Sequence, residues 1–216
     1  MAAHLTIEPA PPAPSAPVAE RDAEWKQQRQ HAAHCRECPL GALATQTVWG
    51  EGAVDASLML VGEQPGDKED LQGKPFVGPA GRLLMQAFAE LGWSRKAAYI
   101  TNAVKHFKHE LRGKRRMHKT PGQRKADACL HWLESEIDLV QPRAIVALGA
   151  TAARQLMGRP IGVIKERGQW LERSDGLPVL ITLHPSALLR GDPDTFDDAW
   201  REWMADLRHA DRFAAR

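Results

Sequence analysis

Four short apolar runs punctuate the chain: Ser57–Val61, Ala98–Thr101, Ala144–Leu148 and Val179–Leu183. Three of them stop at a glycine or a His-Pro pair, as buried strands do. Between them the apolar spacing changes to that of a helix. Pro79–Leu91 carries Leu83, Leu84, Ala87, Phe88 and Leu91 on one face, with Pro79 near the expected start and Gly92 just past the end. Helices are also expected over Arg21–His34, Pro121–Val140, Ala150–Met157 and Pro193–Arg212, and a loose or hairpin-like segment over Ile161–Gly176. Strands alternating with helices predict a parallel sheet covered on both faces, an α/β protein. In such a protein the loops after the strands build the site. Four segments fall there: Gly62–Gly66, Thr101–Lys108, Gly149–Thr151 and His184–Arg190.

The Ala/Pro-rich residues 1–20 lack this periodicity and are expected to form a disordered tail, leaving 21–216 as one domain. A hydrophobic content of 43% and a mean hydropathy of −0.42 suit a soluble globular chain. No apolar run approaches the ~20 residues a membrane span needs. The N-terminus has no basic region followed by an apolar stretch, so an intracellular, cytoplasmic protein is expected. Three cysteines, Cys35, Cys38 and Cys129, do not make a disulfide framework and point to thiolate ligands or inert core thiols.

The formal net charge is only +2, but the positive charge is local. Lys105–Lys119 holds seven Lys or Arg and one acid, Glu110. Within it, Gly113–Pro121 sets His118 among Lys114, Arg115, Arg116 and Lys119. Such a block suits a polyanion, and an imidazole inside it can serve as a nucleophile. A solvated basic loop with an incidental histidine has the same composition. Glu63 at a strand end can orient water or stabilise a developing cation. Phe76, in Gly73-Lys-Pro-Phe76-Val-Gly-Pro-Ala-Gly81, can offer an aromatic face, and His184 a hydrogen-bond donor. Each of these signals is weak alone.

Taken together, in the order Gly62-Glu-Gln-Pro-Gly66, the Phe76 segment, Thr101-Asn102, a Cys-bearing helix, Val146-Ala-Leu-Gly-Ala-Thr-Ala-Ala153 and His184-Pro-Ser186, they resemble the iron–sulfur branch of the uracil-DNA glycosylase superfamily, related to its family 4. The inserted Gly113–Lys119 segment resembles that of UdgX-type members, with Met117 where the familiar loop has Ile. The resemblance spans roughly residues 30–210. It implies a Rossmann-like α/β/α sandwich with a central, mainly parallel, four-stranded sheet. It also implies a bacterial repair-type protein that acts on uracil-containing DNA and releases free uracil; single-stranded DNA is expected ahead of duplex, and a monomer is the default expectation.

The implied roles fall on matching positions. Gly62 and Gln64 line the base pocket, Phe76 stacks on the extruded base, Asn102 reads the uracil edge, and His184 binds uracil O2. Glu63 is the carboxylate, and His118 attacks C1′ to leave a covalent adduct. Lys114, Arg115, Arg116, Lys119, Ser186 and Arg190 are expected at DNA phosphates. The four basic neighbours of His118 are expected to disfavour its imidazolium, leaving a free lone pair for attack. The alternative is a turnover glycosylase that uses water; a noncatalytic, metal-clamped nucleic-acid-binding module ranks behind both.

Cys35-x-x-Cys38 has metal-ligand spacing. Related glycosylases carry four cysteines, and His106 stands at the third position here, a substitution shared by UdgX-like proteins. The resemblance therefore implies a [4Fe–4S] cluster on Cys35, Cys38, His106 and Cys129. A zinc site would use the same four residues, and spacing does not separate the two metals.

Overall fold

The structure, a computed structural model, describes residues 16–215. Most of the expected tail lies outside these residues, but Val18, Ala19 and Glu20 already belong to the first helix. In chain order the helices are α1 (Val18–Ala32), α2 (Leu40–Leu43), α3 (Asp67–Gln72), α4 (Pro79–Leu91), α5 (Gln123–Ala128), α6 (Leu130–Val140), α7 (Ala150–Met157), α8 (Val163–Glu166), α9 (Pro185–Arg190) and α10 (Phe196–Arg208). The strands are β1 (Leu58–Gly62), β2 (Ala98–Asn102), β3 (His109–Arg112), β4 (Arg115–His118), β5 (Ala144–Leu148), β6 (Trp170–Glu172) and β7 (Pro178–Thr182).

The central sheet has the order β2-β1-β5-β7-β6. Its first four strands are parallel and are the four expected from sequence. The fifth, β6, is an added antiparallel edge formed from the hairpin-like segment. Every residue of β1, β2, β5 and β7 is buried, because both faces are covered. Strand alternation divides these residues between two cores. Leu58, Leu60, Ile100, Val146 and Leu180 pack with Leu84 and Phe88 of α4 and with Trp203 and Leu207 of α10. Met59, Val61, Tyr99, Ile145 and Ile181 pack with Leu133 and Ile137 of α6 and with Ala153 and Leu156 of α7.

Three expected segments differ in detail. The helix expected over 121–140 breaks at Cys129, whose backbone (φ −93°, ψ −7°) separates α5 from α6. The basic segment is an ordered antiparallel hairpin of β3 and β4 in which His109 pairs with His118. The terminal helix is shorter than expected and is flanked by 3-10 turns at Pro193–Thr195 and Asp211–Phe213. Among the described residues no helix is long and apolar enough to cross a membrane.

The chain runs from β1 to β2 on one side and then crosses to β5 on the other side of β1. Connections diverge between β1 and β5, and at such a switch point a crevice opens beyond the carboxyl ends of the strands.

Candidate active site and metal centre

Glu63 follows β1 directly, at this crevice. Its Oε2 accepts a hydrogen bond from Thr151 Oγ1 at 2.8 Å, and its Oε1 lies 3.5 Å from His118 Nε2. The last residue of β4 is therefore brought to the end of β1. Gln64 holds it there: its amide nitrogen donates to the carbonyls of Lys108 (3.2 Å) and Lys119 (3.1 Å), and its Oε1 accepts from Lys108 N (3.0 Å). The Gln64 side chain thus pins both strands at the hairpin base and is committed there; only its main chain remains for the pocket-lining role expected of it.

A second anchor is Arg116. Its guanidinium donates to Asp67 Oδ1 and Asp70 Oδ2, both at 2.6 Å, and to Thr45 Oγ1 at 3.0 Å. Arg116 is one of the cations expected at phosphates. Two carboxylates already neutralise it, and it ties the hairpin to α3. Lys119 pairs with Glu110 at 3.0 Å on the surface. Lys114 and Arg115 are exposed and carry no ion pair or side-chain hydrogen bond among the described residues.

The cause of the His118 shift also differs from the expectation. Its pKa is lowered chiefly by burial, opposed by Glu63, and lowered further by Arg190 and then Lys108. Lys114, Arg115, Arg116 and Lys119 are not among the causes, because the side chains flanking His118 along an extended strand alternate away from it and Arg116 is neutralised. The ring is still 48% exposed, so it keeps access to a ligand in the crevice.

Next to Glu63, the Asn102 amide and the Phe76 ring converge over Gly62. Gly62 and Asn102 are register partners at the ends of β1 and β2. A Cβ on Gly62 would collide with Asn102 Oδ1 and would approach Phe76 Cζ to 2.7 Å. The missing side chain is what lets the amide and the ring converge. The Asn102 side chain is 2% exposed and makes no hydrogen bond among the described residues, so its donor and acceptor are both free. Phe76 holds a left-handed backbone (φ 55°), uncommon for an aromatic residue and a strain that tends to gather at functional sites. Its ring centroid is 5.8 Å from that of His184.

His184 follows β7 and caps α9. Its Nδ1 accepts from Ser186 N at 3.2 Å and sits 2.8 Å from Ser186 Oγ, which accepts from Arg190 Nη1 at 2.9 Å. An accepting Nδ1 leaves the proton on Nε2. Burial first, then Arg190 and His118, push the His184 pKa down to about 4, so the ring is a neutral donor at neutral pH. Ser186 and Arg190, expected at phosphates, hold this ring in the structure.

Cys38, His106 and Cys129 form a buried group whose ligand atoms all lie within 4.8 Å of one another. Thr47 Oγ1 donates to Ala32 O (2.7 Å) and is 2.9 Å from His106 Nε2. With the hydroxyl proton already used, the hydroxyl accepts from Nε2–H. His106 Nδ1 is then a bare lone pair, buried and without a hydrogen-bond partner. Burial and then Arg36 lower the His106 pKa, which favours the neutral, ligating ring. Burial pushes the Cys129 thiol up to about 11, and a bound cation is what makes a thiolate stable in such a place. The donor set fits a metal. Cys35 is buried beside this group but is not one of the three; its Sγ accepts from Trp132 Nε1 at 3.4 Å.

Two features went unread in the sequence. Lys105 is fully buried, and its ammonium donates to Glu136 Oε2 (2.6 Å), Thr101 Oγ1 (2.8 Å) and the Asn102 carbonyl (2.7 Å). Thr151 lay in a flagged segment, but nothing local pointed to its bond with Glu63.

Fold and site together define an α/β protein with a carboxylate, two histidines and an amide gathered at a switch-point crevice. Residues 49–208 match the family described as the uracil DNA glycosylase superfamily, and the chain belongs to it. It is 41% identical over 157 residues to a type-4 uracil-DNA glycosylase of Thermotoga maritima, covering 72% of this chain and 78% of that one. It is 39% identical over 165 residues to a type-4 enzyme of Pyrobaculum aerophilum, covering 73% and 80%. A type-5 uracil-DNA glycosylase of the same organism is 30% identical over 173 residues, covering 69% and 72%.

Proposed function

We propose that this protein excises uracil from DNA and is then captured on the DNA through His118. The observation that carries the reading is the 3.5 Å approach of His118 Nε2 to Glu63 Oε1, next to a free Asn102 amide where the uracil pocket is proposed. Uracil leaves the base stack to reach this pocket, or arrives single-stranded. Asn102 can both donate to and accept from the uracil edge, whereas cytosine presents the reversed pattern. Phe76 stacks on the base, which is typically worth about 1–3 kcal/mol. Lys114 and Arg115, two cations of the hairpin with no partner among the described residues, hold phosphates.

As the N1–C1′ bond breaks, its electron pair leaves with uracil. The Nε2–H of His184 hydrogen-bonds to O2 as negative charge grows there. Glu63 faces the positive sugar. The neutral imidazole of His118 gives its lone pair to C1′, forming an N–C bond and an imidazolium whose charge Glu63 offsets. The departed uracil anion takes its proton from solvent, and the blocked C1′ face no longer admits water.

Cys35, Cys38, His106 and Cys129 are the residues that would hold a [4Fe–4S] cluster. When bound, it supplies a rigid cross-link between the segment after α1, the β2–β3 connection and the start of α6. Zinc on the same residues is the alternative that metal analysis separates.

The test is incubation with a uracil-containing oligonucleotide, followed by intact-mass analysis and a denaturing gel. The proposal expects free uracil and a heat- and SDS-resistant adduct, lost in His118→Ser. Free uracil with abasic DNA and no adduct would establish the turnover reaction instead. A His118→Ser protein that still forms the resistant complex would remove His118 from the role.

A further inference from the structure

The turn between β5 and α7 joins Glu63 to His184, and the function proposed above leaves it without a role. Gly149 has φ 92°, and a Cβ there would meet His184 Cβ at 3.1 Å. Its N–H donates to Thr182 O at 2.9 Å, fastening the turn to the end of β7. Two residues on, in the first turn of α7, Thr151 Oγ1 donates to Glu63 Oε2 at 2.8 Å. One rigid turn therefore touches the backbone that carries one histidine and grips the carboxylate that faces the other.

We infer that Thr151 is a positioning residue for Glu63. Glu63 has two oxygens and needs only one of them for the reacting sugar. Thr151 occupies Oε2 and leaves Oε1 directed at His118. Among the described residues this is the single side-chain hydrogen bond made to Glu63, so without it the carboxylate can rotate about its own side chain. The first turn of α7 adds a field that favours negative charge at that spot. A carboxylate held in place beforehand stabilises a developing cation without reorganising during the reaction. Thr151 touches neither base nor sugar in this account, so its loss should appear in the bond-breaking step and not in binding.

The inference rests on the glycosylase reading, and the experiment separates the two. Single-turnover uracil release is followed for wild type, Thr151→Val and Thr151→Ser over a range of protein concentrations, with adduct formation scored in parallel. Valine keeps the shape and removes the donor; serine restores the donor. The expected result is a Thr151→Val maximal rate reduced at least tenfold, with half-saturation and melting temperature within twofold and about 2 °C of wild type, and a Thr151→Ser rate within about threefold of wild type. A Thr151→Val rate within twofold of wild type overturns the inference, as does a defect confined to half-saturation or one that serine does not rescue. If wild type releases uracil without forming adduct, the His118 reading fails while the Thr151 comparison stands. If wild type releases no uracil, both fail.

Discussion

His118 Nε2 and Glu63 Oε1 face each other across 3.5 Å, although one closes a surface hairpin and the other follows a central strand. The hairpin is fastened at two points, by Gln64 at its base and by Arg116 of β4 to α3. The proposed nucleophile is thus held in place before DNA arrives, which would reduce the entropy cost of attack.

The pH dependence of capture should show this environment. Burial, Arg190 and Lys108 lower the His118 pKa, so its neutral form persists below the ordinary histidine value of 6.5. The rate of adduct formation should hold as pH falls through 6.5 and decline only in more acid solution. Replacing Arg190 with Gln removes one lowering charge and should move the acid limb toward higher pH, read from rapid-quench rates.

His184 supplies a stability test. Its folded pKa of about 4 lies below the ordinary 6.5, so between these values the unfolded chain binds the extra proton. Stability should therefore fall as pH drops from about 6.5 to about 4. The His184 share is on the order of 2 kcal/mol, reduced because the ring is only partly withdrawn from water. Urea unfolding at several pH values should show a shallower slope for His184→Gln.

Gly62→Ala tests the pocket. The intruding methyl meets the ends of two side chains and not backbone, so the ring and the amide can swing aside. Stability should fall by about 1–3 kcal/mol, typical of overpacking. Uracil-DNA affinity should fall at least tenfold, measured by fluorescence anisotropy on a non-cleavable analogue.

The cations of the hairpin should separate into two kinds. Lys114→Ala and Arg115→Ala should each lower the slope of log affinity against log salt by about 1, with little dependence on sequence. Arg116→Ala should leave that slope unchanged. It strips the guanidinium from the fully buried Asp70 and so costs about 3 kcal/mol or more. Hydrogen exchange over β3 and β4 should accelerate and adduct yield should fall.

Metal content tests the buried group. Purified protein should contain iron and acid-labile sulfide in nearly equal amounts, as a [4Fe–4S] cluster requires; zinc without sulfide would favour the other metal. Cys129→Ser should lower the metal content and the melting temperature together, since the thiol is 1% exposed and cannot be replaced by solvent.

The pattern of apolar runs located all four parallel strands and the residues at their ends, because alternation and helical spacing are local properties. Three of the four residues expected to hold a metal, Cys38, His106 and Cys129, do come together. Which cations remain free was not legible: composition counts charges but does not say that Arg116 faces Asp67 and Asp70. The break at Cys129 and the edge strand β6 likewise depend on partners distant in the chain.

What the sequence determined by itself was the α/β order, the residues at the strand ends and the histidine set in a basic segment. The tertiary structure alone decided which oxygen of Glu63 faces His118, which proton His184 keeps and which lone pair of His106 is free. Those choices follow from hydrogen bonds to Thr151, Ser186 and Thr47. Two of those partners lie far along the chain, and even for the third a directional bond exists only once folding has fixed the positions and orientations of both groups.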